Sequence, residues 1–202
     1  MSVGRNFAFE ALPKHLEFTP FLQLQLAREF QIAEWVEPAF RSLVNQPLEN
    51  IGPDQAAQMG GLPYYVLSQT KRLIDAHVHN IAFIPPPVYN CFLCLATGRS
   101  DEVWKRAWWA GFAKHILHPD SPLSGSEAMR VLNDAQIPDM CEHCLRNTVD
   151  SIWEANPFEE LELMTRDGIG QVVEWITGKP IVSAYLEAQE VRMQIEMEAY
   201  MA

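Results

Sequence analysis

The sequence predicts an all-α protein. Apolar residues recur at intervals of three and four over most of the 202 residues, and helix-start signals precede several of these runs. No stretch alternates apolar and polar side chains with the period of two that a half-buried strand requires.

Taken in order, Thr19-Pro20 opens the first long pattern with a capping hydroxyl and a proline at the first helical position, where the missing N–H costs nothing. Leu22, Leu26 and Phe30 follow at intervals of four and define its expected inner face. In QIAEWVEPAFRSLV, Trp35, Phe40 and Leu43 point to a core, and Pro38 restarts or kinks the helix. A short helix is expected after Gly52-Pro53. LPYYVLSQTKRLIDAHVHNIAF then places Leu62, Tyr65, Val66, Leu73, Ile74 and Ile81 at helical spacing until Pro85-Pro86-Pro87 stops it.

Beyond the prolines, Ser100 is the expected cap of DEVWKRAWWAGFAKHIL, whose Asp101 and Glu102 suit the positive end of a helix dipole; Trp104, Trp108 and Phe112 face inward. Ser124 with Glu127, and Asp139 with Glu142, fit the reciprocal capping pattern and predict two more helix starts. From Asn156-Pro157 onward the pattern is one helix through Val172, Val173 and Trp175, a break at Gly178-Lys179-Pro180, and a closing helix. Ala184, Ala188, Val191 and Ile195 form a stripe on that helix beside Met193, Met197 and Met201, able to pack on the same molecule or on a second copy. The expected division is an N-terminal helical part (1–84), a cysteine-bearing part (85–155) and acidic C-terminal helices (156–202).

The formal charge of −11 is uneven. From residue 149 onward there are 11 acidic against 3 basic side chains, which leaves −3 for everything before. Such a field repels phosphate backbones, so neither nucleic acid nor an anionic membrane is an expected partner. MSVGRNFAFEALPKHL has no apolar segment behind a basic head, and no later run approaches about 18 apolar residues. A cytoplasmic or nuclear location follows as the expectation.

In that reducing setting the four cysteines carry the most information. They form two C-x-x-C pairs, CFLC (Cys91, Cys94) and CEHC (Cys141, Cys144), with 46 residues between them. Cys141 and Cys144 fall near a helix start, where free N–H groups favour thiolates; Cys91 and Cys94 sit in a knuckle-like segment after the prolines. Four soft ligands in tetrahedral array select zinc over magnesium, calcium or copper(II), and a closed four-thiolate site leaves no position for substrate water. The predicted architecture is therefore an irregular multi-helix bundle stapled by a structural zinc site at Cys91, Cys94, Cys141 and Cys144. Reduced core cysteines, and redox or disulfide chemistry, are the competing readings of the same residues. A histidine, among His143, His77, His79 and His118, replacing one cysteine is another. His77 and His115, on otherwise apolar faces, read as hydrogen-bonded core histidines.

LAREFQIAEWVEPAFRSLVNQPL, the GPDQAAQMG turn and YYVLSQTKRLIDAH together resemble the helical region that follows the BTB (POZ) domain in a large group of basidiomycete fungal proteins. The similarity runs on through the first cysteines, VWKRAWW and MCEHCLRNTVDSIWE, covering roughly residues 20 to 165. Two departures stand out: there is no room for a BTB domain before residue 20, so the chain is either a fragment or a protein lacking that module, and the family's first cysteine motif has a histidine between more widely spaced cysteines where this chain has CFLC. BTB proteins are generally scaffolds that dimerise and recruit partners, often as adaptors of cullin-based ubiquitin ligases. The resemblance thus implies a role in assembly, although cullin binding does not carry over without the BTB module.

No Ser/His/Asp constellation, phosphate-binding glycine loop or H-E-x-x-H pattern is visible in the sequence, and the H-x-H of IDAHVH puts its histidines on opposing sides of a helix. The functional expectation is a non-enzymatic interaction or scaffold domain with protein partners, a homodimer among them. The alternative is a zinc-dependent hydrolase in which three ligands, such as Cys94, Cys141 and Cys144, leave the metal an open position for water.

Overall fold

The computed structural model describes residues 18–92, 94, 99–118 and 122–178, and every regular element among them is helical. The helices are α1 (Pro20–Phe30), α2 (Val36–Val44), α3 (Pro53–Met59), α4 (Gly61–Phe83), α5 (Arg99–Ala107), α6 (Gly125–Asn133), α7 (Glu142–Ala155) and α8 (Glu159–Thr177). Single 3-10 turns at Ala33–Trp35 and Leu48–Asn50 lead into α2 and towards α3. The chain divides into two compact units, one of residues 1–72 and 163–202 and one of residues 73–162, where the sequence places divisions after residues 84 and 155. Among the described residues no helix is long and apolar enough to cross a membrane. The closing helix expected beyond Pro180, with its Ala184, Ala188, Val191 and Ile195 stripe, lies outside the described residues.

In the first unit, local chemistry sets the helix starts. The Thr19 hydroxyl accepts from the Leu22 N–H at 3.2 Å with Pro20 at the first helical position. The Gln55 side chain reaches back to the Gly52 N–H at 2.8 Å at the start of α3. Pro38 neither kinks nor breaks α2: it is the third residue of the helix, where its N–H would have no intrahelical partner.

The core of this unit is Leu24 and Ala27 of α1, Val36, Ala39, Phe40 and Leu43 of α2, Met59 of α3, Val66 and Leu67 of α4, and Val172 and Ile176 of α8. Trp35, Phe40 and Leu43 are buried as expected, with Phe18 edge-on to Trp35. Two expected faces are displaced. In α1 the buried residues are Phe21, Leu24 and Ala27, not Leu22, Leu26 and Phe30; Phe30, the last residue of the helix, is 66% exposed. In α4, Val66, Leu67 and Thr70 are inside while Leu62, Tyr65 and Leu73 face solvent. Both helices carry two apolar stripes, and the neighbours choose between them. Small side chains at Ala27 and Ala39 permit the close approach that a Phe30 face would forbid.

Close approach is sharpest at Gly168 of α8. A Cβ there would lie 2.9 Å from Cζ of Phe40, a ring with no exposed surface, and 2.5 Å from the Thr70 hydroxyl. Gly168→Ala gains about 1 kcal/mol of helix propensity but meets an overpacking cost of about 1–3 kcal/mol. The expected net result is destabilisation, read as a lowered denaturation midpoint; a variant as stable as the parent would show that Phe40 can move.

The second unit is organised by α5. Trp104, Trp108 and Phe112 are all buried, with ring centroids 5.4 Å and 4.3 Å apart. Residues four apart on an α-helix drift by about 40° around its axis. Here α5 widens into a π turn (Trp108–Ala113) before a final α turn (Lys114–Ile116). The wider turn takes up that drift and keeps the rings in line. Met129 and Leu132 of α6, Ile152 of α7, Ala82 of α4 and Phe158 complete the core. Ser124 and Glu127 form the predicted capping box, the Ser124 N–H donating to Glu127 Oε2 at 3.0 Å and the Glu127 N–H to Ser124 Oγ at 3.4 Å. Ser100 is no cap: it is the second residue of α5 and is buried.

The two indoles also fix what lies before the cysteines. Trp108 Nε1–H donates to the Ala82 carbonyl at 3.0 Å, one of the last-turn carbonyls that α4 leaves without an intrahelical partner. Trp104 Nε1–H donates to the Pro86 carbonyl at 2.9 Å. The proline stop, effective from Phe83 onward, is thereby held against α5.

Candidate metal centre

The first cysteine pair is carried by a tight turn. Pro85, Pro86 and Pro87 cannot continue α4, the chain runs without regular structure to Asn90, and the Cys94 N–H then donates to the Cys91 carbonyl at 2.9 Å. The second pair sits at the start of α7. Asp139 is not its cap: it has a left-handed backbone (φ 68°), which turns the chain so that Cys141 occupies the capping position (φ −61°, ψ 128°). The helix begins at Glu142, which puts Cys144 at its third residue, fully buried.

These two local structures bring all four sulfurs together, each within 4.8 Å of every other. The Cys91 and Cys141 sulfurs are 3.8 Å apart, and all four cysteines are free thiols. A tetrahedral ion with metal–sulfur bonds of about 2.3 Å requires sulfur–sulfur edges of about 3.8 Å. The set therefore fits a four-coordinate metal ion, with contraction of its longer edges by up to about 1 Å. It is the one group of ligand-type side chains with such convergence among the described residues.

Three hydrogen bonds lock the proline segment onto α5 and α7. Besides Trp104 to Pro86, the Tyr89 N–H donates to Thr148 Oγ1 at 3.0 Å, and the Cys91 N–H donates to the Cys144 sulfur at 3.2 Å. The Thr148 hydroxyl in turn donates to the Cys144 carbonyl at 2.7 Å, so one buried side chain ties the segment to the helix turn that carries Cys144. Thr148 has no motif around it in the sequence. The only signal is its place one helical turn after Cys144, on the buried face shared with Ile152.

The electrostatics separate the thiols. Cys141 makes no short capping bond, yet its sulfur lies in the field of the free N–H groups at the start of α7. Those of Cys144 and then His143 hold its pKa down to about 6. Cys94 is pushed up to about 12, chiefly because the Cys91 sulfur, then those of Cys141 and Cys144, bond to its protonated form. Metal uptake must therefore remove the Cys94 proton at any pH near neutrality, and below about pH 6 it must also remove that of Cys141. Metal affinity is expected to fall as pH falls, and to fall more steeply below about pH 6. Competition with a chromophoric chelator between pH 5 and 8 measures this, and a flat profile would contradict it.

No histidine joins the cluster among the described residues. His143 projects into solvent from α7. His79 is also exposed, its Nδ1 2.7 Å from the Asp75 carbonyl oxygen. His77, half-buried, has Nε2 2.7 Å from the Pro157 carbonyl oxygen and Nδ1 3.1 Å from Glu160 Oε2, so it is hydrogen-bonded as its apolar face suggests. His115 and His118 are exposed, and for His115 this corrects the core assignment. An open groove of about 820 Å³, lined by Gln136, Met140, Glu142, Leu145 and Arg146 among others, runs beside α7 with no cysteine in its wall.

Comparison with family models, curated proteins and solved structures finds no match to this chain.

Proposed function

We propose that this chain is a non-enzymatic protein-interaction module whose four thiolates hold a structural zinc ion. The convergence of Cys91, Cys94, Cys141 and Cys144 within 4.8 Å carries the reading. Four sulfur donors favour zinc among common divalent ions and fill its tetrahedron, which leaves no position for an activated water. The ion's task is then to clamp residues 85–94 to α7 and offset the entropy of closing a long loop.

What the clamp presents supports an interaction role. Phe83, Ile84, Tyr89 and Phe92 are 64%, 68%, 51% and 88% exposed, and all lie on the stretch that leads into the first cysteine pair or within its turn. Large apolar side chains held outward on an anchored segment are the usual mark of a contact surface. The resemblance of residues 20–165 to a helical region that serves BTB scaffolds points the same way, towards protein partners, with a second copy of the chain among them.

The decisive experiment is X-ray absorption at the zinc edge on the full chain, paired with metal analysis and mass measurement in solution. One zinc per chain with four sulfurs at about 2.3 Å is the expected result. Three sulfurs and one oxygen would revive the open-site hydrolase, and an absence of metal would end the zinc assignment. Phe92→Ser should keep the zinc while weakening self-association or partner binding.

A further inference from the structure

We propose that the cluster is a redox-convertible staple, in which a peroxide oxidant joins Cys91 to Cys141 as a disulfide while the metal departs. This inference concerns regulation of the centre proposed above and rests on that reading for its metal-releasing half.

The geometry offers this pair, and peptide mapping separates it from any pair with Cys94, whose sulfur lies within 4.8 Å of both. Cys91 and Cys141 lie 50 residues apart in sequence, on the two segments that the cluster unites, and their sulfurs face each other at 3.8 Å. Both are half-buried, so a small oxidant reaches them. Cys144 has no exposed surface, and its sulfur is engaged by the Cys91 N–H, which removes it from first attack. A disulfide needs a sulfur separation of about 2.05 Å, and side-chain rotation at the two residues closes the gap from 3.8 Å.

The chemistry balances with one peroxide. A thiolate of the pair attacks a peroxide oxygen; the O–O bond breaks, a sulfenic acid forms and hydroxide leaves. The partner thiolate attacks the sulfenic sulfur, making the S–S bond and expelling a second hydroxide. Two protons from solvent convert both hydroxides to water, and two electrons have passed from two sulfurs to the oxidant. Half the donors are then gone, and the divalent ion is released. Cys94 and Cys144 remain as thiols. The proline segment stays tied to α7, now by a covalent bond, so oxidation exchanges the fastener without releasing the surface that carries Tyr89 and Phe92.

The test uses the full chain, metal-loaded and metal-stripped, treated with hydrogen peroxide. Thiol counting, zinc release to a chromophoric chelator and mass mapping of cross-linked peptides are read in parallel. The expected result is a loss of two thiols of the four, a mass decrease of two hydrogens, a single linkage of Cys91 to Cys141, and melting above the metal-stripped reduced chain. Loss of one zinc accompanies it in the loaded sample. Linkage of Cys91 to Cys94 or of Cys141 to Cys144, or over-oxidation without any linkage, overturns the proposal even where zinc was bound at the start. If the chain never binds zinc yet forms the Cys91–Cys141 bond, the metal reading fails and the staple survives.

Discussion

Cys144→Ser is expected to strip the metal from the purified chain and to destabilise the unit of residues 73–162 by more than about 4 kcal/mol, the range in which losing a metal belongs. For a chain of this length that is a fall in Tm on the order of 10 °C. The residue is chosen because its sulfur is both a candidate ligand and the acceptor for the Cys91 N–H, and because it is fully buried. A serine hydroxyl is a poor soft donor and cannot span the same distance. Differential scanning calorimetry with metal analysis checks the result, and the parent stripped by a chelator is the control. If metal loss is the cause, stripped parent and variant melt alike, and added zinc restores only the parent. Unchanged metal content together with an unchanged Tm would refute the site.

Trp108→Ala is expected to cost about 3–5 kcal/mol, the usual range for deleting a buried aromatic side chain. The indole is 2% exposed, packs at a tilt between Trp104 and Phe112, and satisfies the Ala82 carbonyl at the end of α4. Trp108→Phe separates these contributions: it retains a ring in the ladder but leaves the carbonyl unpaired, for a cost of about 1–3 kcal/mol. Urea denaturation measures both. A loss below about 1 kcal/mol for alanine would mean that the ladder is not the organiser of this unit.

Much of the helical layout is legible in the sequence because its signals act over four residues or fewer. Thr19-Pro20, Ser124 with Glu127, and the three prolines from Pro85 to Pro87 each start or stop a helix through atoms of their own neighbourhood. Trp35, Phe40, Trp104, Trp108 and Phe112 recur at helical spacing with other apolar residues, and that spacing rather than size marks them as inward, since Phe92 is exposed. Cys141 shows the limit of local reading. Asp139 and Glu142 have capping chemistry, but the left-handed turn at Asp139 hands the cap to Cys141 and moves the helix start.

Cysteine types and spacing were enough to nominate the four candidate ligands. Their meeting point was not in the sequence, because it depends on Trp104 holding Pro86, Thr148 holding Tyr89 and the Cys144 sulfur holding the Cys91 N–H, contacts that span up to 59 residues.

What the sequence by itself determined is the helical class, most helix ends and the set of sulfur donors, because propensity, capping and ligand chemistry are properties of near neighbours. Which stripe of α1 and α4 turns inward, where α7 begins and how four sulfurs come within 4.8 Å were decided only by the tertiary structure. A side chain's burial and a ligand's direction are set by whatever packs across from it, and that partner lies far away along the chain.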